Sequence, residues 1–182
     1  MITRLLPALA LCATSCAGEI GVATPPGAGF APLPICINEF MPDNAGSIVD
    51  ETGVPVDWIE LANPGDQPIE LAGYRLTDDG SNPDKSVLPR GLTLAPHGYL
   101  LLWADGRSAT QAGPRHLSFW LPKDGGSLGL FAPDGRGSVI NFDHIATDFA
   151  AARHPDCCNG PHCFSFDYHG TPGRSNNPGP PR

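Results

Sequence analysis

Lysine occurs only twice in these 182 residues, methionine is equally rare, and charged residues of all kinds make up 16%. With basic residues so few and a formal net charge of -8, the composition argues against phosphate binding as the main task, because a nucleic-acid binder usually presents a basic face and only a local basic patch is left open here. Long amphipathic runs are missing, so nothing predicts a helical scaffold. A Gly-rich phosphate loop, a His-Glu-x-x-His pair and a nucleophile elbow are absent as well, which removes the commonest sequence signs of nucleotide, zinc-hydrolase and serine-hydrolase chemistry. What the chain has in quantity is Pro (21) and Gly (22). That punctuation suits short strands joined by turns, and the length suits one domain with a proper core and hardly two.

The first residues, "MITRLLPALALCATSCAG", hold one Arg, a short apolar stretch and then small residues leading to Cys16. The apolar stretch is too short for a membrane-spanning helix and reads as a cleaved export signal over residues 1–15. Ala13, Thr14 and Ser15 resemble a permissive bacterial lipobox, which implies lipid attachment at Cys16; Cys12 fits less well because Leu11 is bulky beside the cut. Several acyl chains on one cysteine anchor stably where one chain binds only marginally. Ala17 is not the aspartate that marks inner-membrane retention, so an outer membrane is favoured if the host has two. Residues 16–34, rich in Pro, Gly and Ala, are expected to form an extended, mobile tether, with the folded domain over 35–175 and a disordered tail over 176–182.

After processing, Cys36, Cys157, Cys158 and Cys163 remain, an even number for an oxidising compartment. Adjacent Cys157 and Cys158 are poorly placed to bond each other. Cys36 is therefore expected to bond one of them and Cys163 the other, with the choice open. Zinc competes, since His154, His162 and His169 lie among these cysteines, but "HPDCCNGPHC" lacks the paired C-x-x-C spacing of zinc sites.

From Ile35 the chain alternates strand and turn. "ICINEFM" (35–41), "VDWIELAN" (56–63), the apolar run Tyr99 to Ala104, and a hairpin around Pro133-Asp134-Gly135 are the clearest elements. Regular spacing of such runs predicts an antiparallel sandwich or barrel. In "VDWIELANPG", alternation puts Asp57 with Ile59 and Leu61, and Trp58 with Glu60. Ile59 and Leu61 are expected inward, Trp58 and Glu60 outward. Two acids on opposite faces cannot flank one substrate bond, so Asp57 and Glu60 are not expected to form a catalytic dyad.

The order of motifs resembles the lamin tail domain in its bacterial exported form. The resemblance rests on "INEFMPDN" (37–44), "DWIELANPGDQPIELAGYRLTDDGSNPDK" (57–85), "GLTLAPHGYLLLWADG" (91–106), "GGSLGLFAPDGRGSVINFD" (125–143), Arg153 and "TPGRSN" (171–176). It implies an all-β, immunoglobulin-like antiparallel β-sandwich and a module not known as an enzyme in its own right. "HPDCCNGPHCF" departs from the family pattern and is expected to be a disulfide-stapled loop near 154–164.

Among candidate ligands, calcium suits the oxygen-rich loop carrying Asp78, Asp79, Asn82 and Asp84, and next to it the loop with Asp43, Asn44, Asp50 and Glu51. Neither has EF-hand spacing, and the same residue types are ordinary turn formers. Trp103 and Trp120 are assigned in part to the core, which leaves outward Trp58 as the ligand-facing residue. His144, Asp148 and Arg153 would revive a hydrolase only by converging in a pocket. The expectation is a non-catalytic, membrane-anchored module of the cell envelope that needs no cofactor and binds or organises a protein or glycan. The alternative is a calcium-dependent adhesion or carbohydrate-binding module.

Overall fold

The computed structural model describes residues 20–23, 32–160 and 162–177. Two sheets face each other. The first has the order β1 (Gly21–Ala23), β11 (Gly137–Asp143), β10 (Gly125–Phe131), β5 (Arg75–Thr77), β6 (Ser86–Val87). The second runs β13 (Phe164–Tyr168), β12 (Phe149–Arg153), β2 (Cys36–Met41), β3 (Asp57–Ala62), β8 (Tyr99–Ala104), β9 (His116–Leu117). A small ladder pairs β4 (Ile69–Glu70) with β7 (Thr93–Leu94), and α1 (Ala109–Ala112) is a single helical turn. All pairings are antiparallel except β8 with β9. This is the immunoglobulin-like β-sandwich; the strands expected at 35–41, 56–63 and 99–104 appear as β2, β3 and β8, and the expected hairpin around Pro133-Asp134-Gly135 as β10 and β11. In the turn between β10 and β11, Gly135 takes φ 88°, a conformation open to Gly without cost. Among the described residues no helix is long and apolar enough to cross a membrane.

The core lies between the sheets. Phe40, Ile59, Leu61 and Leu102 from one sheet meet Leu76, Leu128, Leu130, Ile140 and Phe142 from the other, and the Phe40 and Phe142 rings lie 4.9 Å apart. A second apolar layer covers the far face of the six-stranded sheet. Met41, Trp58, Trp103 and Ala150 form it, with Ile48 and Val56 from the loop before β3 packed on top.

That second layer corrects the reading of "VDWIELANPG". Ile59 and Leu61 do point into the sandwich, but Trp58 and Glu60 are also fully buried (0% exposed). Alternation separates the two faces of a strand; it does not say whether loops cover the polar one. Trp58 therefore faces no ligand. Trp120, assigned in part to the core, is the exposed indole at 64%, lying over Gly106, where a Cβ would come within 2.2 Å of its ring.

Two domain boundaries also move. Ile20 is buried and Gly21–Ala23 pairs with Val139–Asn141, so part of the expected tether is a strand. Asn176, placed in the disordered tail, is 2% exposed and fixed by hydrogen bonds. The expected lipid site Cys16 lies outside the described residues, as do 1–19, 24–31, 161 and 178–182.

Candidate functional site

A dense polar cluster lies where the closing segment crosses the far face of the six-stranded sheet. A register shift in β2 between Ile37 and Glu39 brings Glu39 opposite Glu60 of β3. Both carboxylates accept hydrogen bonds from the closing turn. The Thr171 N–H donates to Glu39 Oε1 and Oε2 at 2.9 and 3.1 Å, and Gly173 N–H donates to Glu60 Oε2 at 2.5 Å. Asn38 Nδ2 donates to Glu60 Oε1 at 3.4 Å and to Asp156 Oδ1 at 3.1 Å. Asn176 Nδ2 donates to the Asn38 and Arg153 carbonyls, both at 3.1 Å. Asp156 gathers Tyr99, Ser175 and the Asn176 N–H. Each buried acceptor thus finds a backbone or side-chain donor, the condition for leaving it inside.

Burial raises both acids, against the opposing pull of their hydrogen bonds: Glu39 to about 7 and Glu60 to about 8, the latter raised further by Glu39 itself. Burial likewise lifts Asp57 to about 7, but its carboxylate takes the Asn44 N–H at 3.3 Å, away from the closing segment. Arg153, 1% exposed, donates to the Ile37 carbonyl at 2.7 Å and to the Cys158 carbonyl. Its guanidinium lies 4.5 Å from the Phe164 ring centre, and burial lowers it to about 10.

The disulfides close this region. Cys36 bonds Cys157, 121 positions away in sequence, and Cys158 bonds Cys163. The pairing agrees with the expected pattern and assigns its open choice. The Cys157 N–H also donates to Asn38 Oδ1 at 3.0 Å, tying the bridge to the acid cluster. The segment is a tight fit. At Gly170 (φ 64°) a Cβ would meet Glu39 Oε1 at 2.7 Å and Ala150 Cβ and Trp58 Cη2 at 3.0 Å. Gly170→Ala is expected to cost about 1–3 kcal/mol, read as a shift in denaturation midpoint. An unchanged midpoint would mean that the turn is not held against the sheet.

On the outer side of the cluster, an open cavity of about 620 Å³ is lined by His154, Asp167, Tyr168 and, from the closing segment, Gly170, Thr171 and the run from Arg174 to Asn177. His154 Nε2 pairs with Asp167 Oδ2 at 3.0 Å. Glu39 lies beneath Thr171 with no exposed surface and both oxygens engaged.

The other sequence candidates are dispersed. His144 is exposed, 3.1 Å from the Lys123 carbonyl. Asp148 accepts from the Ala45 and Gly46 N–H groups and the Ser47 hydroxyl. Arg153 is inside the sandwich, so these three do not share a pocket. In the first oxygen-rich loop, Asp78 pairs with Lys85, Asp84 with Arg75, and Asp79 accepts from Ser81, while Asn82 serves through backbone bonds of the turn. Among the described residues no group of three or more His, Cys, Asp or Glu side chains is placed to hold a metal ion.

One buried network was not legible as such, although two of its acids, Asp50 and Glu51, stood among the calcium candidates of the sequence. His116 (2% exposed) lies between Asp105, 2.7 Å from Nδ1, and Glu51, 2.6 Å from Nε2. Arg107 joins Asp105 to Asp50. It pins the loop before β3 to β9, and only β9, a two-residue strand parallel to β8, places His116 there.

The family model described as the Lamin Tail Domain matches residues 30–142. No curated protein matches the chain. The match covers both sheets except β1, β12 and β13 and ends before the disulfide loop and the closing segment.

Proposed function

The chain belongs to the lamin tail domain family, and on that premise we propose that it works without catalysis, as a lipid-anchored, extracytoplasmic module that binds or organises a partner at the cell envelope. The observation that carries this reading is the use made of the buried ionisable groups. Buried Glu39, Glu60 and Arg153 and half-buried Asp156 are each hydrogen-bonded by other groups of the chain itself, and His116 is held between two carboxylates. A general acid or base must reach a substrate proton, and Glu39, the raised acid bonded to the cavity wall, is sealed beneath it. In this reading the open cavity beside the closing segment is one surface on which a ligand could sit.

Two disulfides support an oxidising compartment, and the lipobox-like residues before Cys16 support the anchor. In this reading no cofactor is needed. The test is the intact mass of membrane-extracted, non-reduced protein, followed by reduction and alkylation. A chain starting at Cys16 with acyl groups and four cysteines blocked until reduction is the expected result. An unacylated chain or free thiols would overturn the anchor or the compartment. A rise in unfolding temperature with millimolar calcium would favour the calcium-dependent alternative instead.

A further inference from the structure

Strand β13 is an edge. It pairs with β12 from Phe149↔Tyr168 to Arg153↔Phe164 and with no other described strand. His154 N–H donates to the Cys163 carbonyl at 2.7 Å and His169 N–H to the Asp148 carbonyl at 2.8 Å. In an antiparallel ladder the bonded pairs alternate, so residues 163, 165, 167 and 169 turn their backbone groups to β12. Phe164, Phe166 and Tyr168 turn theirs outward, and none of these bonds to another described element.

Natural edge strands are usually short or guarded by Pro, Lys or a bulge. The terminal strands β6 and β9 are each two residues long. β13 has five residues, "FSFDY", with no Pro, no Lys and an unbroken register. Its three aromatic side chains share one face. Phe164 is partly buried against Phe40, but Phe166 is 42% and Tyr168 60% exposed.

We infer that β13 is a self-pairing edge, joining two copies of this chain through an antiparallel β13–β13 ladder across a two-fold axis at Phe166. The register follows from the strand itself. Centred on Phe166, all five residues overlap and every outward N–H and C=O meets its mate. Phe164 then faces the partner copy's Tyr168, Phe166 faces its own counterpart, and Ser165 faces the partner copy's Asp167. Cross-strand aromatic pairs of this kind stabilise a sheet. A slip by one residue puts inward-bonded groups on the outer edge. A slip by two toward the C-terminus sets Asp167 against Asp167 of the partner copy, and the opposite slip shortens the overlap. The centred register alone combines full overlap with no opposed carboxylates, and that self-complementarity argues for a second copy as the occupant. The inference does not depend on the anchor or on a ligand in the cavity.

The test is sedimentation of the purified full chain, in density-matched detergent if the N-terminus is acylated, with three variants. Ser165→Lys faces Asp167 of the partner copy twice per dimer and is expected to tighten the dimer by roughly tenfold, and Ser165→Asp to weaken it by a similar factor. Phe166→Pro removes an N–H that β12 does not use and is expected to give a folded monomer. The opposite responses at position 165 stand even if the proline variant folds poorly. A chain that stays monomeric at high micromolar concentration, or a dimer indifferent to both changes at position 165, would overturn the proposal. So would occupation of this edge by an extended segment of another protein in place of a second copy.

Discussion

Replacing Cys36 and Cys157 together by alanine is expected to lower the unfolding free energy by about 4–5 kcal/mol, while removing the Cys158–Cys163 bridge costs about 2 kcal/mol. The difference comes from loop length. The first bridge joins residues 121 apart and the second residues only 5 apart, so the first removes far more freedom from the unfolded chain. The larger bridge also joins the start of β2 to the loop whose Cys157 N–H fixes Asn38, beside Glu39 and Glu60. Equilibrium denaturation of the two double variants under non-reducing conditions is the measurement. Equal costs would mean that chain entropy is not what the Cys36–Cys157 bridge contributes, and that native-state contacts around the cysteines set both values.

Stability is expected to fall, by roughly 3 kcal/mol for each of three raised acids, as pH rises from about 5 to about 9. Glu39 and Glu60 have folded values raised by burial, to about 7 and about 8 from an ordinary 4.5. A group whose folded value is raised binds its proton more tightly in the native state. Its contribution is complete below the unfolded value and is lost as pH climbs through the folded one. Asp57, lifted to about 7 from 3.8, acts in the same sense. Asp50, Asp148 and Asp156 are lowered, so their contributions fade only in acid, outside this window. The residues facing the two glutamates are Asp167 and His154 on the Glu39 side and Asp156 on the Glu60 side; Thr171, Gly173 and Asn38 supply hydrogen bonds.

Glu39→Gln with Glu60→Gln keeps the volume and removes both titrations, leaving only the smaller slope from Asp57. Thermal unfolding across the window, compared between parent and variant, checks it. A parent profile that is flat or rising, or a variant profile parallel to the parent, would show that the two acids are ionised at no cost in the native state. The closing segment should respond with them, since Thr171 and Gly173 donate to these oxygens. Protection of those two amides against exchange is expected to drop at the alkaline end.

Much of the architecture was legible because a strand advertises itself locally. Alternation in "DWIELA", the apolar run Tyr99–Ala104 and the Pro133-Asp134-Gly135 turn each depend on neighbours in sequence, and each became the expected element. The cysteine pairing was legible as far as short-range geometry allows: adjacent cysteines bond apart, and folding chose which. By itself, then, the sequence determined the sheet class, the oxidised cysteines and the family order of motifs. Only the tertiary structure decided which side of β3 meets water. Trp58 and Glu60 are buried because the loop before β3 and the closing segment fold over a face that alternation marks as polar. The neighbours Asn38 and Glu39 lie far along the chain from Glu60 and Asn176, and nothing local tells an acid on a strand that a turn more than a hundred residues later will donate to it. His116 is the same case, since its partners arrive with β8 and the loop before β3. Strand periodicity is a property of the backbone, whereas burial and hydrogen-bond partners depend on the whole packed chain.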